Sequence, residues 1–267
     1  MKSKGPELGS LSSRFFAYVQ LKKLDIVRTG EIAPVLDIST TQESDLFRRL
    51  SNSGWILRLK RGVYLVPSRI PAGGKFSPGA ALILQKFMED EKGKYQICGP
   101  TAFNFYRLDD QIPSVTYLYN NRISGKRSIG SLAFQFIKVA DERLGAINAV
   151  RTREDMEMIY PSKARTLMDA VYDWSRFNSL PRGYDWIKGA IRNDPELTSE
   201  LIEVTTKYGN MATFRRVGYL LDTLIQNSRL INRLLGQLSN SSSLIPWIPV
   251  RPAKGTINRK WGVIING

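Results

Sequence analysis

Any chemistry in this chain must be done without histidine. None of the 267 residues is His, and Cys98 is the single cysteine. A Ser-His-Asp triad, a His general base and a His-ligated metal are therefore excluded, and zinc would need almost all-carboxylate ligation, which is rare. Carboxylates, lysine and Ser/Thr/Lys arrangements remain. Asp169 and Asp173 stand four apart on one expected helix and could bind a metal, although such pairs are usually surface carboxylates. Glu91-Lys92-Gly93-Lys94 matches the Glu-x-Lys of metal nucleases only loosely, and in a turn rather than a strand. Ser162 and Lys163 are sequence neighbours, which do not face each other on a helix. Gly74 and Gly79 have the Walker glycine spacing, but Ala80-Ala81 follow where Lys and Ser/Thr are needed. No Gly-x-Gly occurs, which removes the dinucleotide fingerprint. The expectation is no catalytic residue, no metal and no cofactor.

Recognition chemistry is better represented. Thr40-Thr41-Gln42-Glu43 matches a capping box that opens a helix running to Asn52-Ser53, and Gly54 supplies a left-handed stop. At about 100° per residue, Leu46, Phe47 and Leu50 share one side, Thr41, Ser44, Asp45, Arg48 and Asn52 the other, and Arg49 the flank. Arg can be bidentate to guanine, Asn to adenine, and Thr or Ser can reach phosphate or base. The alternative is a solvated face on which Asp45 pairs with Arg48 or Arg49.

The flanking elements favour the first reading. Residues 9–26 read as a helix capped by Ser10 or Ser12, with Leu11, Phe15, Val19 or Tyr18, and Leu21 at helical spacing. Thr29 can cap a short second helix over 30–36, and Asp37-Ile38-Ser39 is a turn. After the third helix, Trp55, Leu57 and Leu59 alternate toward the core, while Arg58, Lys60 and Arg61 point away or sit at the turn that Gly62 permits. Val63-Tyr64-Leu65-Val66 returns, and Pro67 ends the strand. Helix, short helix, turn, helix and hairpin is the order of a winged helix-turn-helix. Contacts to double-stranded DNA are expected at Thr40, Thr41, Ser44, Arg48, Arg49, Asn52, Arg58, Lys60 and Arg61. The charge lies at the hairpin tip because the tip meets phosphate.

The expected organisation is α+β: a winged helix-turn-helix over 1–68, a Pro/Gly linker over 69–76, and a larger mixed α+β domain over 77–267, strands first and helices after. In that domain a helix starts at Ser77 or Pro78 and runs to about 89. A strand at 95–98, a helix at 99–107 and strands at 115–119, 134–139 and 149–151 follow. Residues 120–130 read as a basic hairpin-like loop carrying Arg122, Lys126 and Arg127. Beyond 156–159 the pattern becomes helical, with Pro161 in a first turn, Ala164, Leu167, Met168 and Val171 on an apolar face, and Lys163, Arg165 and Asp169 off it. Further helices are expected over 185–192, 196–208, 211–225 and 229–238, a mobile break at Asn240-Ser241-Ser242-Ser243, and a last strand at 261–265. From Thr223 onward there is no acidic residue against six basic ones. Arg251, Lys254, Arg259 and Lys260 of that tail, with Arg122, Lys126 and Arg127, form a secondary basic surface for DNA, RNA or an acidic partner, unless they are merely solvated.

Composition agrees. The formal net charge is +15, from 39 Lys+Arg against 24 Asp+Glu, which attracts polyanions, nucleic acid first. Residues 1–68 hold 11 Lys+Arg and 6 Asp+Glu. No apolar run approaches the roughly 18 residues of a membrane span, and the opening MKSKGPELGS lacks a signal-peptide pattern. The expected setting is the cytoplasm, without a membrane partner, and no further domain is expected beyond Trp261.

Four segments together resemble one family. SNSGWILRLKRGVYLV is similar to the end of the winged helix in the AbiEi antitoxins, the regulator half of abortive-infection toxin–antitoxin systems. CGPTAFNFYRLDDQIP, followed by a strand and NNRISGKR, resembles the start of that family's second domain. MEMIYPSKARTLMDAVYD and TFRRVGYLLD look like its later helices. The resemblance implies a non-enzymatic transcriptional repressor of its own operon that opposes a cognate nucleotidyltransferase-like toxin in phage defence. By position it places DNA contacts on Thr41, Ser44, Arg48, Arg49, Arg58, Lys60 and Arg61. The alternatives are a metal-dependent nucleic-acid-processing enzyme docked by a winged helix, and a basic protein-interaction module.

Overall fold

In a computed structural model the described residues are 9–71, 74–225, 228–238 and 243–267. The chain is mixed α+β and divides into two compact units, one of Met1–Lys94, Ser124–Gln135 and Arg151–Met158, the other of Tyr95–Ile123, Phe136–Val150 and Ile159–Gly267. The expected break at 240–243 falls on residues 240–242, outside the described set, apart from Ser243; so do residues 72–73 of the expected linker.

The first unit opens with α1 (Ser10–Leu21), β1 (Ile26–Arg28), α2 (Ala33–Leu36), α3 (Thr40–Asn52), β2 (Leu57–Lys60) and β3 (Val63–Leu65). The first helix is shorter than its periodicity suggests. Lys23 takes a left-handed φ of 53°, and Leu24 N–H turns back to the Val19 carbonyl. Residues 26–28 are then freed to pair antiparallel with β3, register Ile26 to Leu65. Gly9, not Ser10 or Ser12, precedes the helix, without a side-chain cap. The small sheet has the order β1-β3-β2. One apolar core joins it to the helices, through Phe15, Phe16, Val27, Ile32, Phe47 and Trp55 among others. Phe15 meets Phe47 edge-on at 5.8 Å, and Phe47 lies 4.8 Å from Tyr64, so α1, α3 and β3 share an aromatic seam. Trp55 and Leu59 are buried as expected, but Leu57 is only half-buried, and Ile56 fills the core beside Trp55.

α4 (Ala80–Asp90) also belongs to this unit. Its buried stripe of Ala81, Ile83, Leu84, Phe87 and Met88 is supplemented by ion pairs. Lys86 reaches Asp25 at 3.0 Å, and Asp90 reaches Arg28 at 2.6 Å and Lys60 at 2.5 Å.

In the second unit, β4 (Tyr95–Ile97) pairs antiparallel with β5 (Thr116–Asn120), and α5 (Gly99–Phe105) connects them. Residues 125–129 form a strand, β6 (Gly125–Ile129), not a loop, hydrogen-bonded to β7 (Leu132–Lys138). The Gly130-Ser131 turn joins them, with Gly130 at φ +60°. The pair β6 and the first half of β7 falls in the first unit, and the second half of β7 in the second. β8 (Ile147–Arg151) pairs with β9 (Glu157–Pro161). Pro161 thus ends a strand rather than opening a helix, and Ser162 is the N-cap of the next helix, accepting from Arg165 N–H at 3.2 Å.

Helices follow: α6 (Lys163–Tyr172), α7 (Trp174–Phe177), α8 (Arg182–Asn193), α9 (Leu197–Tyr208), α10 (Met211–Leu224) and α11 (Ser228–Leu235). A three-stranded sheet closes the chain, β10 (Ile245–Pro246), β11 (Thr256–Asn258) and β12 (Val263–Ile265), in the order β10-β12-β11. Trp261 anchors it: its indole is buried against Gly218, where an added Cβ would lie 2.1 Å from the ring, and its Nε1 donates to Asp222 at 2.9 Å.

α6 is not amphipathic in the expected sense. Arg165 and Asp169, placed off the apolar face by periodicity, are fully buried. Asp169 accepts from Arg165 Nε at 3.0 Å and from Arg143 Nη2 at 2.7 Å. The Arg165 guanidinium also donates to the Gly145 and Arg143 carbonyls, and stacks over the Tyr208 ring. Asp173 accepts from Tyr119 Oη at 2.6 Å. Asp169 is buried and Asp173 half-buried, so neither is a plain surface carboxylate. Their lone pairs are taken by guanidinium and phenol donors, and among the described residues no cluster of three or more His, Cys, Asp or Glu could hold a metal ion. Cys98 is buried beside them.

Candidate nucleic-acid interface

α3 is held at its start by Ser39, whose Oγ accepts from Gln42 N–H at 3.1 Å while Gln42 Oε1 accepts from Ser39 N–H at 2.8 Å. The capping box is therefore Ser39/Gln42, one residue earlier than Thr40/Glu43. The shift gives Glu43 a different task. Fully buried, its carboxylate accepts three backbone N–H groups, from Gly30 at 2.7 Å, Ile32 at 2.8 Å and Ala33 at 2.9 Å. These are the free donors before and at the first turn of α2, the place where a negative group is most favourable. Thr29 does not cap that helix; α3 does. At the other end of α2, the Leu36 carbonyl accepts from Arg14 of α1 at 2.7 Å. The three helices are thus cross-braced by polar contacts as well as by the core.

That bracing presents one face of α3 to solvent. Leu46, Phe47 and Leu50 are buried with Glu43, and Thr40, Thr41, Ser44, Asp45, Arg48, Arg49 and Asn52 are exposed. Arg48 pairs with Asp45 at 2.7 Å, but with 70% and 52% of the two side chains exposed the pair is weak. It costs little to exchange it for a base edge.

The hairpin treats its three basic residues unequally. Arg58 and Arg61 are exposed. Gly62, at φ +74°, makes the reversal, and its carbonyl accepts from Thr29 N–H at 3.0 Å. Lys60 is drawn back onto α4, to Asp90 and Glu91 at 2.5 Å each. Burial opposes charge on Asp90, but hydrogen bonds from Lys60 and Arg28 outweigh it and hold the carboxyl below its ordinary range. The same two carboxylates keep the Lys60 ammonium above its usual value against its own desolvation.

The secondary basic residues are divided between the two units. Lys126 and Arg127 are exposed on β6 in the first unit. Arg122, Arg251, Lys254, Arg259 and Lys260 are exposed in the second, with Lys260 held by Asp222 at 2.8 Å. Sequence reasoning missed Glu43, Asp90 and Glu91 as positioning groups. The one available signal was Glu43 itself, a carboxylate on the Leu46–Leu50 side of α3.

Residues 17–67 match a family model described as "Transcriptional regulator, AbiEi antitoxin". No curated protein matches the chain. Among solved structures, the RV2827C protein from Mycobacterium tuberculosis is similar at 12% identity and a TM-score of 0.56, over 98% of this chain and 94% of that one. At that identity the likeness is one of fold, and it extends through both units. No helix among the described residues is long and apolar enough to cross a membrane. The end of α1, the helices α2 and α3 and the β2–β3 hairpin thus lie in the segment, residues 17–67, that is similar to the AbiEi antitoxin transcriptional regulators.

Proposed function

We propose that the protein is a cytoplasmic DNA-binding autorepressor and antitoxin, with residues 1–68 as its DNA-binding part, opposing a nucleotidyltransferase-like toxin in phage defence. The observation that carries this reading is the exposed face of α3, polar and hydrogen-bonding throughout, set above Leu46, Phe47 and Leu50 and fixed against α2 by Glu43. In the proposed complex α3 enters the major groove. Arg48 and Arg49 are of a type to read guanine and Asn52 adenine, while Thr40, Thr41 and Ser44 sit at the helix start, where phosphate is favoured. The β2–β3 hairpin acts as the wing, with Arg58 and Arg61 on the sugar–phosphate backbone and Lys60 joining them only by leaving Asp90 and Glu91. The reading needs no catalysis: Asp169, on which a metal-dependent alternative depends, is bound to two guanidinium groups.

Two linked assays in cells test the proposal. A reporter behind the chain's own upstream region should be repressed by the wild-type protein and released by Arg48→Ala. Co-expression should restore growth to cells producing a nucleotidyltransferase encoded next to it. A reporter indifferent to the wild-type protein, or growth that is not restored, overturns the corresponding half of the proposal.

A further inference from the structure

β6, the Gly130-Ser131 turn and the first half of β7, far from the winged helix in sequence, are compacted into the same unit. β6 contacts β2 directly. Gly130 at its turn lies so close to the hairpin that an added Cβ would come within 2.9 Å of Leu57 Cδ1. Ile129, Gly130 and Leu132 line, together with Ile56, Leu57 and Arg58, an open pocket of about 350 Å³. The Arg127 guanidinium and the Lys60 ammonium stand 5.9 Å and 6.0 Å from the centre of the same Phe87 ring. Residues 124–128 are all exposed, an outer strand with two cations and no acid.

We infer that the duplex-binding surface extends onto this second hairpin, and that Lys126 and Arg127 are phosphate contacts beside the wing. The inference rests on the DNA-binding reading above and adds residues lying outside 1–68. Charge is the discriminating observation. Arg28 and Lys60 are neutralised by Glu31, Asp90 and Glu91, so the cations left to the wing are Arg58 and Arg61. Two point charges are a small footprint for a duplex, whose affinity comes mainly from phosphate neutralisation. Lys126 and Arg127, carried on an exposed strand packed against β2, supply two more without disturbing the pairing of Lys60 with Asp90 and Glu91. The partner is a double-stranded polyanion: contacts of this kind carry no base information.

The test compares full-length wild type with Lys126→Ala/Arg127→Ala and with the charge-keeping Lys126→Arg/Arg127→Lys, titrated into a fluorescent duplex from the chain's own upstream region and a scrambled duplex, at several salt concentrations. The alanine pair should bind both duplexes more weakly by the same factor, and the slope of log affinity against log salt should shrink by about two. The charge-keeping pair should retain the wild-type slope. An alanine pair with the wild-type slope, while wild type binds, overturns this inference alone. A charge-keeping pair that loses the slope also overturns it. Failure of the wild-type chain to bind any duplex overturns the DNA-binding reading and this inference with it.

Discussion

Glu43 Oε1 on α3 accepts the backbone N–H of Ile32 at 2.8 Å, and thereby fixes α2 to the helix proposed to read DNA. The same carboxylate holds Gly30 and Ala33. Glu43→Ala would strand three donors in a buried corner, each worth on the order of 1–3 kcal/mol. Chemical denaturation should show a loss of at least about 3 kcal/mol. Glu43→Gln, which keeps one acceptor oxygen, should fall between. A Glu43→Ala protein as stable as wild type would show that the cap does not position α2.

The Asp90 latch has a pH signature. Its carboxyl is held below the ordinary range by Lys60 and Arg28 despite burial. A depressed native pKa contributes stability that is complete above the unfolded-state value, about 3.9, and is lost as pH falls through the native value. Wild type should therefore lose melting temperature in acid more steeply than Asp90→Asn, and the two curves should converge below the native pKa. Parallel curves across that range would contradict the assignment.

Asp169 binds two arginines in the interior of the second unit. Removing it leaves the buried Arg165 guanidinium, and the half-buried Arg143 one, without their counter-charge, which costs about 3–5 kcal/mol. Asp169→Ala should lower stability by that order, measured by urea denaturation. If it leaves stability intact while abolishing a metal-dependent activity, the carboxylate is chemical and not structural.

Burial, reinforced by the charges of Asp169 and Asp173, pushes the Cys98 thiol well above its usual value. The thiolate is the reactive form. Ellman's reagent should therefore modify Cys98 only as fast as the native protein opens, and promptly in denaturant. Rapid modification of the native protein would mean that this interior is accessible.

What was legible in the sequence was what repeats locally. The bounds of α3, the stop at Gly54 with φ +76° and the reversal at Gly62 follow from period, cap and turn chemistry. The burial of Leu46, Phe47 and Leu50 follows from the same pattern. What escaped was set by partners distant in the chain. α1 ends early because residues 26–28 find a strand partner at 63–65. β6 reads as a loop because Gly125-Lys126-Arg127-Ser128 has no apolar alternation, and none is needed on an exposed strand. Arg165 looks like a solvent residue because its acceptors, Gly145 and Arg143, lie some twenty residues earlier. On α3 the helix and its exposed residues were readable. The group that orients them, Glu43, was not, because a buried charge is recognisable only once its donors are in place.

The central claim is that the outward face of α3 reads bases in duplex DNA. The most direct measurement is the affinity of full-length wild type and Arg48→Ala for a duplex from the chain's own upstream region, and for single-base-pair variants of it, at fixed salt. The account predicts that Arg48→Ala weakens binding by about 1–3 kcal/mol and no longer discriminates at one base pair, while keeping its preferences elsewhere. Wild-type affinity together with unaltered discrimination at every position would contradict it.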